Sequence, residues 1–132
     1  MLDPKRFMLK LLLYKQETSG VFATILLKEL LEKQGQKVKL VQGYLTVAGS
    51  TCWHVWIEDD SNQIIDIGKM LAIHKDPEFS VCEFKYTTEK PEGQIEYDEQ
   101  NMVVWNARND KNFLKAAPKG FMDFRSRIHR EK

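Results

Sequence analysis

At Lys37 the spacing of apolar residues changes from the period of a helix to that of a strand, and this switch divides the chain into a helical beginning and a strand-rich middle. Before it, Phe7, Met8, Leu11 and Leu12 recur at offsets of three and four behind Pro4, a residue suited to the first turn of a helix. They predict a first helix ending near Lys15. Thr18 and Ser19 are suitable N-caps, and Phe22, Ile25, Leu26 and Leu30 share one face of a second helix, predicted from about Ser19 to Lys33 and stopped by Gly35. After the switch, Val38 and Leu40 alternate with Lys37 and Lys39 in a strand that continues through Val41 to Gly43 and Tyr44. Ala48-Gly49-Ser50 marks a turn, Thr51 to Glu58 a second strand rich in aromatic and β-branched residues, and Asp59 to Asn62 a hairpin before a third strand at Gln63 to Ile67. Two N-terminal helices packed on an antiparallel meander define an α+β class.

The later sequence is less regular. Strict alternation predicts a strand over Ser80 to Thr87, Asn101 to Ala107 suits strand or helix, and Asp110 to Ala117 predicts a short helix stopped by Pro118. The basic residues from Arg125 to Lys132 read as a loose C-terminal tail. No repeat or linker divides the 132 residues, so one domain over 1–132 is expected, and 42% hydrophobic residues supply its core. A net charge of +1 provides no global field for nucleic acid, leaving only the tail as a phosphate-contacting arm. Two cysteines, Cys52 and Cys82, without metal-finger spacing point to a reducing compartment, the cytoplasm, with neither metal nor cofactor expected. The apolar stretch from Phe7 to Leu13 is interrupted by Lys10 and reads as a core helix rather than a leader, and no membrane partner is expected.

Two segments carry the functional signal: Ser19-Gly20-Val21-Phe22-Ala23 at a helix start, and Trp53-His54-Val55-Trp56-Ile57-Glu58 followed by Ile64-Ile65-Asp66. With Gly35 and Gly43-Tyr44 between them, their order resembles the transglutaminase-like family of papain-type fold, over roughly Thr18 to Gly68. The resemblance implies a catalytic triad with the nucleophile at Ser19, the base at His54 and its orienting carboxylate at Asp66. It implies acyl transfer, or amide or peptide hydrolysis, on a protein or peptide substrate. Independently of the resemblance, a nucleophile at a helix N-terminus meets free backbone N–H groups and the positive end of the helix dipole, which stabilise a developing anion. A base and its carboxylate on adjacent antiparallel strands come within reach of each other.

In the family the nucleophile is a cysteine. Here it is Ser19, whose hydroxyl must be deprotonated during the reaction and depends wholly on its base. Three explanations follow: a non-catalytic member of the fold, a serine enzyme with the same support, or an engineered cysteine replacement. The residues also have plain structural readings, with Ser19 as a helix cap, His54 as a locally bonded strand histidine and Asp66 as a strand-end residue. Gln16 upstream is a candidate oxyanion donor, and Trp53, Trp56 and Tyr44 are candidate walls of a substrate groove, Trp56 sharing a strand face with His54. Cys52 shares that face too, but residues two apart on a strand have Cα atoms about 6.5 Å apart, too far for a direct nucleophile–base hydrogen bond. The alternative to an enzyme is a papain-fold module that binds an extended peptide along the groove without chemistry.

Overall fold

The structure, a computed structural model, describes residues 2–96 and 114–131. Helix α1 spans Pro4–Leu13, with Asp3 as its N-cap: the Asp3 carboxylate accepts the Arg6 N–H at 2.8 Å. Helix α2, Val21–Lys33, ends in a paired C-terminal motif in which the Gly35 N–H donates to the Glu32 carbonyl and the Gln36 N–H to the Leu31 carbonyl. Its N-cap is Gly20, at φ 54° and ψ −121°, a conformation that favours glycine, and no side chain caps it. The predicted capping role of Thr18 or Ser19 is therefore replaced by a backbone turn, in which the Phe22 N–H donates to the Ser19 carbonyl.

Strands β1 (Val38–Val47) and β2 (Ser50–Asp59) form a long regular hairpin, closed by Ala48 and Gly49 at φ 51° and 82°. Two successive positive φ angles match the right-handed twist of the strands they join. Strand β3 is only Ile64–Ile65, because Asp66 ends it and begins helix α3, Ile67–Lys75, where the sequence predicted continued strand to Ile67. Strand β4, Lys85–Thr87, pairs with β1 on its other side, giving an antiparallel sheet of order β3-β2-β1-β4. The predicted strand from Ser80 is thus shortened: Pro77–Val81 forms a 3-10 turn, started by Asp76, whose side chain accepts the Glu78 N–H. The segment Asn101 to Ala107 and the first part of the expected helix, 110–113, lie outside the described residues.

The expected loose tail is instead part of helix α4, Lys119–Arg130, and this corrects the sequence reading. Phe121, Phe124 and Ile128 fall at offsets of three and seven on one face and are all buried, so the basic residues occupy only the other face of a docked helix. Arg125 makes a bidentate ion pair with Glu29 of α2, at 2.9 and 2.6 Å, and the His129 Nε2–H donates to the same carboxylate at 2.8 Å. The core joins the helices to one face of the sheet: Phe7 and Leu11 of α1, Leu26, Leu27 and Leu31 of α2, Phe121 of α4, and Leu40, Val55 and Ile57 of the hairpin. The described residues are α+β, as predicted, with four helices and a four-stranded antiparallel sheet. None of the helices among them is long and apolar enough to cross a membrane.

Candidate active site

Strand alternation decides what surrounds His54. Val55 and Ile57 point into the helical core, so His54 and Trp56 point to the other face of β2, opposite Gly43 and Val41 of β1. Glycine at 43 leaves room there, since a Cβ at this position would lie 2.8 Å from Cη2 of Trp56. The indole occupies that space and is 2% exposed. It stacks on the His54 ring at 6.2 Å between centroids and meets the Tyr86 ring edge-on at 5.0 Å.

Asp66 comes to the same place because β3 ends as it leaves β2 and α3 begins beside His54. Its carboxylate has two tasks. One is to cap α3, with Oδ1 accepting the Lys69 N–H at 3.2 Å; the other is to hold His54, whose Nε2 lies 2.9 and 2.8 Å from Oδ1 and Oδ2. A carboxylate offers no hydrogen, so Nε2 carries the proton and Nδ1 is left as the ring's basic nitrogen. Nδ1 has no hydrogen-bond partner among the described residues, and the imidazole keeps 24% of its side-chain surface exposed while Asp66 is buried. Gly68 packs its bare backbone against the ring. The Tyr86 hydroxyl completes the set, donating to Asp66 Oδ2 at 2.8 Å. Burial, the Asp66 charge and this hydrogen bond together push the Tyr86 hydroxyl far above the usual phenol range, so it remains a donor.

Of the other predicted residues, Trp56 belongs to this cluster, whereas Ser19 and Gln16 make their hydrogen bonds elsewhere. Ser19 stands just before α2, half-buried, and its hydroxyl donates to Gln16 Oε1 at 3.3 Å; no hydrogen bond joins it to His54. Gln16 in turn gives its amide Nε2–H to the Tyr14 carbonyl at 3.4 Å. The three groove candidates divide between the two faces, since Tyr44 pairs with Trp53 on the side of Val55 whereas Trp56 lies with His54. Cys52 is on the His54 face, and burial, then the charge of Glu96, push its thiol above the ordinary value, which disfavours the reactive thiolate. Among the described residues no three His, Cys, Asp or Glu side chains converge to hold a metal ion.

Sequence reasoning missed Tyr86 and Gly68. Tyr86 sits in the predicted strand, but its approach to Asp66 depends on β4 pairing with β1 opposite Leu45, a register that no local signal specifies. Gly68 follows the residue expected to end a strand, where a glycine reads as loop. Comparison with protein-family models, with curated proteins and with solved structures gives no match.

Proposed function

We propose that this domain performs papain-type, transglutaminase-like acyl transfer or amide hydrolysis on a protein or peptide, with His54 as general base and Asp66 as its orienter. The observation that carries this reading is the His54–Asp66 pair itself: a buried carboxylate fixes one imidazole nitrogen as donor and leaves the other free to take a proton. The side chain at position 19 is the nucleophile in this reading. Connectivity supports it along one direction. Helix α2 and strand β1 are joined by a short turn, and a helix that doubles back along the strand following it would extend its 13 residues over about 20 Å. Val38 to Gly43 extends about 17 Å, so in that arrangement the helix start would come level with Gly43 and with its partner His54. The chemistry then requires the residue-19 side chain to meet Nδ1 around the edge of β2, the helix start supplying N–H groups to the tetrahedral oxyanion.

A serine-to-cysteine change tests this directly. In Ser19→Cys, iodoacetamide or a peptide-amide probe labels residue 19, and His54→Ala in the same background slows labelling at least tenfold. Equal labelling in both proteins refutes the assignment.

The Ser19–Gln16 hydrogen bond and the facing of His54 away from the helical core favour a second reading, a papain-fold module that binds an extended peptide without chemistry. In that case labelling of Ser19→Cys is indifferent to His54.

A further inference from the structure

We infer that Tyr86 is a positioning residue of the His54–Asp66 pair, anchoring the carboxylate so that it engages one imidazole nitrogen, Nε2, and reserves Nδ1 for proton transfer. The inference rests on the proposed role of His54 as base, and its geometry stands independently of Ser19.

The sheet order makes this contact unusual. Asp66 follows β3 at one edge of the sheet, and Tyr86 belongs to β4 at the other, with β2 and β1 between them. Tyr86 reaches Asp66 across the face that carries Trp56, and Gly43 makes the crossing possible by leaving the floor beneath the indole open. A phenylalanine would fill the same space against Trp56. The hydroxyl adds only the bond to Asp66 Oδ2, and that bond is aimed at a buried charge.

The carboxylate's partners explain what the hydroxyl accomplishes. Oδ1 is tied to the Lys69 N–H, and both oxygens lie within reach of Nε2. A carboxylate tied at one oxygen alone turns about its Cβ–Cγ bond and loosens its hold on the imidazole; tied at both, it presents a fixed plane to the ring. Other ionisable groups nearby are occupied elsewhere: Lys69 Nζ lies over the Phe84 ring at 4.8 Å, and Glu58 accepts from the Trp56 Nε1–H at 3.3 Å. Among the described residues, Tyr86 is therefore the side chain, besides His54 itself, that restrains the carboxylate.

The test is the Nε2 proton of His54, observed by NMR in protein labelled with 15N-histidine. In the parent chain this proton is expected far downfield and slow to exchange with water. In Tyr86→Phe its exchange is expected to accelerate at least tenfold and its resonance to move upfield, while the backbone amide spectrum keeps its dispersion. Unchanged exchange and resonance in a folded Tyr86→Phe would overturn the inference. Should that variant unfold, site-specific 3-fluorotyrosine at position 86 retains the ring's packing and strengthens the hydroxyl as a donor. It is expected to slow exchange of the Nε2 proton further, because a firmer hold on the carboxylate steadies its bond to the ring, and unchanged exchange overturns the inference. Neither measurement involves residue 19, so failure of the labelling experiment and failure of this one are separately readable.

Discussion

Glycine 68 is a constraint imposed by the His54 ring: a Cβ at this position would lie 2.9 Å from Cε1 of His54 and 3.2 Å from Oδ1 of Asp66. Gly68→Ala must displace the imidazole, the carboxylate or the first turn of α3. The expected result is an intact fold with a misplaced base, read as a loss of roughly tenfold in the His54-dependent labelling of the Ser19→Cys protein, since ångström-scale misplacement is enough to cost this much. Gly43 differs, because its Cβ would lie 2.3 Å from the Thr87 carbonyl oxygen, a backbone atom of the neighbouring strand. Gly43→Ala is expected to push β4 from the sheet and lower stability by about 2 kcal/mol, measured by urea unfolding, because overpacking against a backbone has no side chain that can yield. At this scale the site was partly legible. His54 and Asp66 were readable from the family-like order of residues, and they do pair. Hairpin register across Ala48 and Gly49 divides Tyr44 and Trp53 from Trp56. Tyr86 was beyond reach because two strands lie between it and its partner.

Helix α4 is the element whose role differs most from its appearance in sequence. Its mean composition is strongly basic, and that hid the three apolar residues that dock it; reading Arg125 to Lys132 as a terminus discarded Ile128 from the pattern begun by Phe121 and Phe124. Elements held by local signals were legible: α1 by its apolar offsets, α2 by its terminating glycine, and the hairpin by alternation and its turn. Helix α3 was not, because Asp66 serves both as the end of β3 and as the cap of the helix, and Gly68 masks the first turn. Docking of α4 is tested by Phe121→Ala. Phe121 is 1% exposed, in tilted contact with Phe22 at 6.0 Å and Phe124 at 5.9 Å. Its truncation is expected to cost about 3–5 kcal/mol in urea unfolding, the range for a large buried aromatic. A cost below about 1 kcal/mol would mean that the helix adds little to the core.

For the molecule as a whole, the link between α2 and α4 contributes to how stability responds to acid. Burial raises the Glu29 carboxyl, but hydrogen bonds from Arg125 and His129, with their charges, outweigh it and hold the group below its ordinary value of 4.5. The reciprocal effect raises Arg125, chiefly through the hydrogen bond to Glu29. A carboxyl whose value is lower in the folded state contributes its full stabilisation above the unfolded value and loses it as pH falls through the folded one. Stability is therefore expected to be level near neutrality and to decline as pH drops below about 4.5, the ordinary value from which Glu29 departs. Glu29→Gln keeps the shape and an acceptor while removing the charge. At pH 7 it is expected to lower stability by about 1–2 kcal/mol, consistent with hydrogen bonds to a charged group that retains some solvent contact. In acid the difference should shrink, because the parent's Glu29 becomes neutral as well, so the two urea-midpoint curves converge toward low pH. Parallel curves would mean that Glu29 does not titrate with folding, and the ion pair would then hold α4 no more tightly than its buried Phe121, Phe124 and Ile128 already do.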